Sequence, residues 1–432
     1  MLKKLFSSKI AQNSGWIIGG KVAQMIIGFL VGIFTARYLG PSNYGIINTA
    51  QAYTSFILPV CTLGFSAIFV KCILDHPDEE GKYLGSGIAI RCGVSIITMV
   101  VMFFVVLFLN PGEKELHLVF FIHSFVLLFQ SFDLFDYWYQ SKYRSKYPAI
   151  FGIIGYIAAA AYKVFLLVTG KSVAWFAFAT VLDYAIVAFI YMTVSVKRNH
   201  LKLSASWPVA KSMVHMSKHF IASNMLVMIY AQMDKIMIRM FMSNADVGLY
   251  SVGVAICSLW TFVITAIINS IRPNIVETFY IDKEKYREKL ISLYSLIIWL
   301  SFFVSVIICV FAKLIITLLY GKQYLGAISA LRIVTWYTSF SFLGVARNIW
   351  SVCEEKQRFE KTFALSGAIG NLILNIVFIP ILGINGAAIA SVITQVLTNV
   401  VVPYCFKDTR ENSIHILKAF NPKCLAEMFK YL

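Results

Sequence analysis

Runs of about 20 consecutive apolar residues, separated by short polar breaks, recur along the whole chain and restrict its fold more than any other property. A helix needs ~20 apolar residues to cross ~30 Å of hydrocarbon. Twelve such runs are present, at 15–39, 44–69, 85–109, 116–137, 149–169, 173–196, 214–242, 247–275, 290–311, 326–352, 363–382 and 386–406. They are continuous rather than alternating apolar and polar, which excludes a membrane β-barrel. The sequence therefore predicts an all-α polytopic membrane protein of twelve transmembrane helices. Composition agrees: 59% of the 432 residues are hydrophobic, 14% are charged and mean hydropathy is +0.74, whereas soluble domains are roughly a quarter charged. The first run is too long for a signal-peptide apolar region and lacks a small-x-small cleavage site, so it is expected to stay in the mature protein.

Orientation follows from the basic residues of the loops. Net charge is +17, from 38 Lys+Arg against 21 Asp+Glu. With the N-terminus placed in the cytoplasm, 24 of the cations fall in inner segments, beginning with Lys3, Lys4 and Lys9 and ending with Lys423 and Lys430, and only Lys114, Lys171, Lys313 and Lys322 fall in outer loops. Both termini are thus expected to be cytoplasmic. The basic balance does not point to nucleic acid, because no sizeable soluble domain is present to hold it.

The longest central break, basic and containing Trp207-Pro208, reads as a linker between two six-helix bundles. The expected organisation is an N-terminal bundle at 1–196, a cytoplasmic linker at 197–213, a C-terminal bundle at 214–406 and a cytoplasmic tail at 407–432. Weak self-similarity supports two halves: Tyr44-Gly45 opens span 2 as Val247-Gly248 opens span 8, and Ala149, Gly152 and Gly155 of span 5 recur as Ala364, Gly367 and Gly370 of span 11. Small residues at this spacing also pack membrane helices generally. If the repeat is real, a substrate belongs at the seam between the halves. The tail alternates Lys with apolar residues, which fits either an amphipathic helix on the inner leaflet or a solvated segment.

Ten cations remain within the spans, facing four acids, Asp133, Asp136, Asp183 and Asp234. Each centrally placed charge costs at least ~2.5–3.5 kcal/mol on insertion scales, so such residues are functional candidates. Arg37, Lys218, Arg239 and Arg272 lie near span ends, where they can snorkel to the headgroups. Lys21, Arg91, Lys163, Arg332 and Arg347 are deeper and are the candidate substrate-binding residues; a water-filled cavity and a buried ion pair are both open for each. Excess positive charge inside the membrane suits an anion, a diphosphate in particular, and not an organic cation. Asp183 and Asp234 are the candidate ion-coupling residues, because a buried carboxylate is a simple proton carrier; a structural salt bridge is the other reading of each. Pro59, Pro273 and Pro380 are expected to kink spans 2, 8 and 11.

No catalytic set or cofactor signature is present: there is no G-x-x-x-x-G-K-[ST], G-x-S-x-G or H-E-x-x-H, and the loops are too short for a nucleotide-binding or glycosyltransferase domain. The eight cysteines lack a C-x-x-C, and His215 and His219, one helical turn apart, have no further ligand nearby, so neither an enzyme nor a metal site is expected.

Five motifs in order carry a resemblance: Ala36-Arg37-Tyr38-Leu39-Gly40-Pro41-Ser42-Asn43-Tyr44-Gly45; Trp138-Tyr139-Gln140 leading to Tyr147 and Ala149; Gln232-Met233-Asp234-Lys235 with Val247-Gly248-Leu249-Tyr250; Leu319-Tyr320-Gly321-Lys322-Gln323-Tyr324 with Leu331-Arg332; and Gly383-Ile384-Asn385-Gly386-Ala387-Ala388-Ile389-Ala390. In these the chain resembles, nearly end to end, the bacterial O-antigen and capsular polysaccharide repeat-unit flippases (Wzx-type), the polysaccharide transporter branch of the MATE/MOP exporter superfamily. It departs from them at Lys163, where an Arg is expected in span 5. The resemblance implies a MATE/MOP-like fold in the bacterial inner membrane. It implies alternating-access export of an undecaprenyl-diphosphate-linked oligosaccharide, with H+ or Na+ as coupling ion and a polysaccharide polymerase or chain-length machinery as partner. Arg91 and Arg332 are then the first-choice diphosphate ligands. A multidrug extruder, a peptidoglycan-precursor flippase, which typically has two more spans, and a membrane glycosyltransferase or polymerase are the alternatives.

Overall fold

In a computed structural model of the protein, residues 9–198 and 201–428 are described, with no strand among them. Lys3, Lys4 and Lys430 lie outside the described residues, as do the side chains of Lys9 and Arg198. The principal helices are α1 (Lys9–Thr62), α2 (Glu80–Leu109), α3 (Lys114–Phe129), α4 (Lys146–Thr169), α5 (Val173–Met192), α6 (Trp207–Phe241), α7 (Asn244–Ser258), α8 (Thr261–Ile281), α9 (Lys283–Leu319), α10 (Ala327–Cys353), α11 (Glu360–Leu382), α12 (Ile384–Val396) and α13 (Arg410–Lys418). Nine helical segments among the described residues are long and apolar enough to cross a membrane. The first holds two of the apolar runs, and the helices over the runs at 214–242 and 326–352 are too polar to meet the same criterion.

The division within α1 explains the first motif. Gly40 has φ 71° and ψ 172°, a reversal that breaks two helices apart. A positive φ is cheap only for glycine, and Pro41, whose fixed φ suits a first helical turn, starts the second helix. Helical structure continues through Pro59, Pro273 and Pro380. The break in the run over span 8 lies instead between Ser258 and Thr261.

The chain forms two compact units, Met1–Gln232 and Met233–Leu432. The dividing point lies within α6, because the first part of that helix packs Met213 and Ile221 into the core of the first unit with Phe65, Phe69, Trp138 and Tyr191. Linker residues belong to the same unit: Ser204 donates its amide to the Gly81 carbonyl, and the Ser206 amide bonds Ser86 Oγ at 2.8 Å. In the second unit, Tyr286, Tyr294, Phe342 and Trp350 build the core, and Ile416 of α13 is buried among them. The tail is therefore docked at 410–418, with Tyr294 OH donating to Asn412 Oδ1 at 2.6 Å and Arg287 paired with Glu411 at 2.8 Å.

Both units present apolar side chains on their outer faces and bury hydroxyl side chains among their apolar cores. Val101, Phe104 and Phe108 of α2 and Phe303, Val310 and Leu314 of α9 point outward, while Ser95, Ser305 and Thr335 are buried. This suits a lipid solvent, in which buried hydroxyls bond across helices: Ser95 Oγ donates to the Leu127 carbonyl, and Thr335 Oγ1 to Ser305 Oγ.

Candidate functional site

Two polar cavities lie inside the first unit. One, of about 300 Å³, is lined from α1 by Thr35, Tyr44, Asn48 and Gln51, from α4 by Tyr156 and Lys163, and from α5 by Thr180, Asp183 and Tyr184. The second, of about 200 Å³, is lined by Gln24, Gln130, Asp133 and Asp136 together with the same Tyr156, Asp183 and Tyr184. Glycines make the room. A Cβ on Gly28 would stand 2.2 Å from Tyr156 OH, one on Gly152 2.4 Å from Gln24 Nε2, and one on Gly155 2.7 Å from Asp183 Oδ1. Carbon contacts normally begin near 3.5 Å, so these three polar side chains occupy the helix interfaces only because the facing residues lack side chains.

The seven candidate residues separate into distinct environments. Lys163 and Asp183 share the first cavity and sense each other's charge. Lys21 is exposed and lies within electrostatic reach of Asp136. The Arg91 side chain is 2% exposed; it bonds Asp133 Oδ1 at 2.5 Å and the Gln130 carbonyl at 2.9 Å. Of the two readings open for Arg91, its contacts match the buried ion pair: the guanidinium bonds Asp133, whose carboxylate lines the second cavity. Each of the three candidate cations of the first unit thus has an acid within electrostatic reach, Arg91 alone in a direct ion pair, so the excess of six positive charges counted along the sequence does not make this interior cationic.

In the second unit Arg347 is likewise buried. It donates to Glu360 Oε2 at 2.9 Å, to the Thr398 carbonyl and to Asn399 Oδ1, and it stacks 4.5 Å from the Phe363 ring centre. Glu360 also accepts from Ser351 Oγ. This acid was missed in sequence because it stands three residues before the apolar run that α11 carries; its signal was only that it opens that helix. Arg332 is exposed and bonds the Cys309 carbonyl of α9 at 3.1 Å. Asp234 is buried and accepts from Tyr250 OH at 2.6 Å, Asn375 Nδ2 at 2.8 Å, Asn371 Nδ2 at 3.1 Å and Ser391 Oγ. The two parts of the third motif thus meet here, Tyr250 of α7 on Asp234 of α6, and neither asparagine was singled out in sequence. Four neutral donors match the lone-pair capacity of one ionised carboxylate. The Trp138 motif also gains a reason: Trp138 Nε1 bonds Glu80 Oε2 at 2.9 Å, and Lys142 pairs with the same carboxylate.

These cavities are held within bundles of helices that present apolar side chains outward, and the fold is that of a multi-pass membrane protein. Among solved structures it is similar to an inward-facing multidrug resistance MATE family transporter of the MOP superfamily (TM-score 0.68, 14% identity, 94% of this chain and 98% of that one). It is also similar to the lipid II flippase MurJ in an inward closed conformation (TM-score 0.66, 15% identity, 93% and 91%). The sequence matches the polysaccharide biosynthesis protein family over residues 34–329, and the chain belongs to that family. It is 21% identical over 407 residues, 91% of this chain and 82% of the other, to the probable flippase AglR of Haloferax volcanii. The chain is thus a polysaccharide biosynthesis family member with the fold seen in those MOP-superfamily structures.

Proposed function

We propose that the protein translocates an undecaprenyl-diphosphate-linked oligosaccharide from the inner to the outer leaflet of a bacterial inner membrane by alternating access, without covalent chemistry. The observation that carries this is the polar interior of the first unit, rich in hydroxyl and amide side chains, in a chain of the polysaccharide biosynthesis family. Twelve spans in two six-helix bundles and cytoplasmic termini belong to the same reading. Lys21 and Arg332, exposed and outside the buried ion pairs, are the diphosphate ligands of first choice, while Arg91 and Arg347 hold their bundles together. Asp183, which a proton can reach through the cavity, and Asp234 are the candidates for coupling to H+ or Na+.

The test is complementation of strains deleted for a repeat-unit flippase, with surface polysaccharide and inner-leaflet lipid-linked units as the readout. Restored polysaccharide and a cleared inner-leaflet pool are expected. A well-inserted protein that restores nothing across strains with different glycans defeats the reading. A multidrug extruder is the second reading, favoured by the acid–base balance of the first unit, which suits an organic cation no worse than an anion; raised resistance to cationic dyes in the same strains is its signature.

A further inference from the structure

We infer that the 300 Å³ cavity of the first unit is a carbohydrate subsite that takes one uncharged pyranose ring of the transported glycan, and that the diphosphate is bound elsewhere. The inference rests on the oligosaccharide reading above and names the part of the cargo that this cavity holds.

Three observations carry it. Lys163 and Asp183 stand in the cavity with no hydrogen bond or ion pair among the described residues, unlike Arg91 and Arg347, whose charges are answered by protein groups. A fixed charge at membrane depth is costly, so the pair is retained for something that enters. The two charges are opposite. A diphosphate would be drawn to Lys163 but repelled by Asp183 and by Asp136 of the adjoining cavity, whereas a ring of neutral hydroxyls can donate to the carboxylate and accept from the ammonium at once.

The rest of the lining has the same character. Gln51 and Thr180 add donors and acceptors in no fixed sign, Thr35 and Asn48, which donate to the Val31 and Tyr44 carbonyls, add acceptor oxygens, and Tyr156 and Tyr184 put aromatic rings in the lining. The volume lies at the small end of the ~300–1,000 Å³ typical of ligand pockets, room for about one ring and not for a repeat unit. The space is also built rather than left over, because Gly28 and Gly155 admit the Tyr156 hydroxyl and the Asp183 carboxylate.

The experiment uses the full chain in lipid nanodiscs and saturation-transfer NMR with three probes: methyl β-glucopyranoside, methyl β-galactopyranoside and inorganic pyrophosphate. At least one methyl glycoside should bind at millimolar concentration, and pyrophosphate in tenfold excess should leave its signal intact. Gln51→Leu and Thr180→Val should each weaken the glycoside at least fivefold. Gly93→Ala, where an added methyl meets nothing within 4 Å, should leave it unchanged. Gly28→Leu, which fills the space, should abolish it; if that variant is not monodisperse on size exclusion, the two conservative variants decide. Displacement by pyrophosphate, no glycoside binding, or binding indifferent to both Gln51→Leu and Thr180→Val overturns the proposal. The complementation assay separates the two levels: export restored without glycoside binding removes the subsite alone, whereas glycoside binding without any restored export removes the transport reading alone.

Discussion

Removing the Arg91 guanidinium tests whether a deep membrane cation serves cargo or architecture. In the structure Arg91 spans α2 to the end of α3, bonding Asp133 at 2.5 Å and the Gln130 carbonyl at 2.9 Å, with its side chain 2% exposed. Arg91→Ala deletes both bonds and leaves Asp133 facing a void. Breaking a buried pair from one side costs about 3–5 kcal/mol, less here because Asp133 is 34% exposed and keeps some hydration; about 3 kcal/mol is the expected loss. At roughly 2–4 °C per kcal/mol for a unit of this size, the melting temperature of the detergent-solubilised protein should fall on the order of 10 °C. Asp133→Ala alone strands the guanidinium and should cost as much. The Arg91→Met/Asp133→Leu double variant removes both charges and should recover about 1–3 kcal/mol of the summed losses as coupling. Melting followed by fluorescence size exclusion, alongside surface polysaccharide in complemented cells, reads both quantities. If Arg91→Ala melts like the parent yet abolishes export, and the double variant recovers neither, Arg91 acts on cargo and the structural assignment is wrong.

Three further outcomes follow from other sites. Gly28→Ala puts a methyl 2.2 Å from Tyr156 OH, so it should cost about 1–3 kcal/mol of overpacking and reduce export. Its effect should disappear in a Tyr156→Phe background, measured by the same melting assay. Asp234→Asn keeps one oxygen to accept from two of the four donors and sets its N–H groups against the other two. At about 0.5–1.5 kcal/mol for each hydrogen bond and more when one partner is charged, a melting temperature unchanged within 2 °C of the parent, on the same scaling, would contradict a structural role for these four hydrogen bonds. In the docked tail, burial is the main cause that holds His415 below its ordinary value of 6.5; Arg287 and Lys418 add to the depression and Glu411 opposes it. The docked state then binds fewer protons than the released one, so docking is fullest above pH 6.5 and weakens as pH falls below it. Protection factors of the 410–418 amides, with the intrinsic pH dependence of exchange divided out, should fall between pH 7 and pH 5, and His415→Gln should flatten that fall.

The helical, membrane-spanning class of the protein was legible in the chain, because the length and apolarity of a span are one-dimensional properties: hydrocarbon imposes them on every crossing segment whatever its neighbours. The same holds for the motif at Gly40-Pro41, where a local backbone requirement selects the residue types directly. Charge was legible only as a count. Sequence places Arg91, Lys163 and Arg347 at similar depth in similar runs, yet Arg91 and Arg347 are locked to Asp133 and Glu360 while Lys163 opens on a cavity. What separates them is the rotation of each helix about its axis and the identity of the facing residue, and both are set by packing between segments far apart in the chain. Glu360, 13 residues from Arg347, and Asn371, 137 from Asp234, became partners only by that packing. The cavity itself was out of reach for the same reason: Gly152 and Gly155 read in sequence as small packing residues of a weak repeat, Gly28 carried no signal, and only the tertiary structure shows which side chains stand in the space they leave.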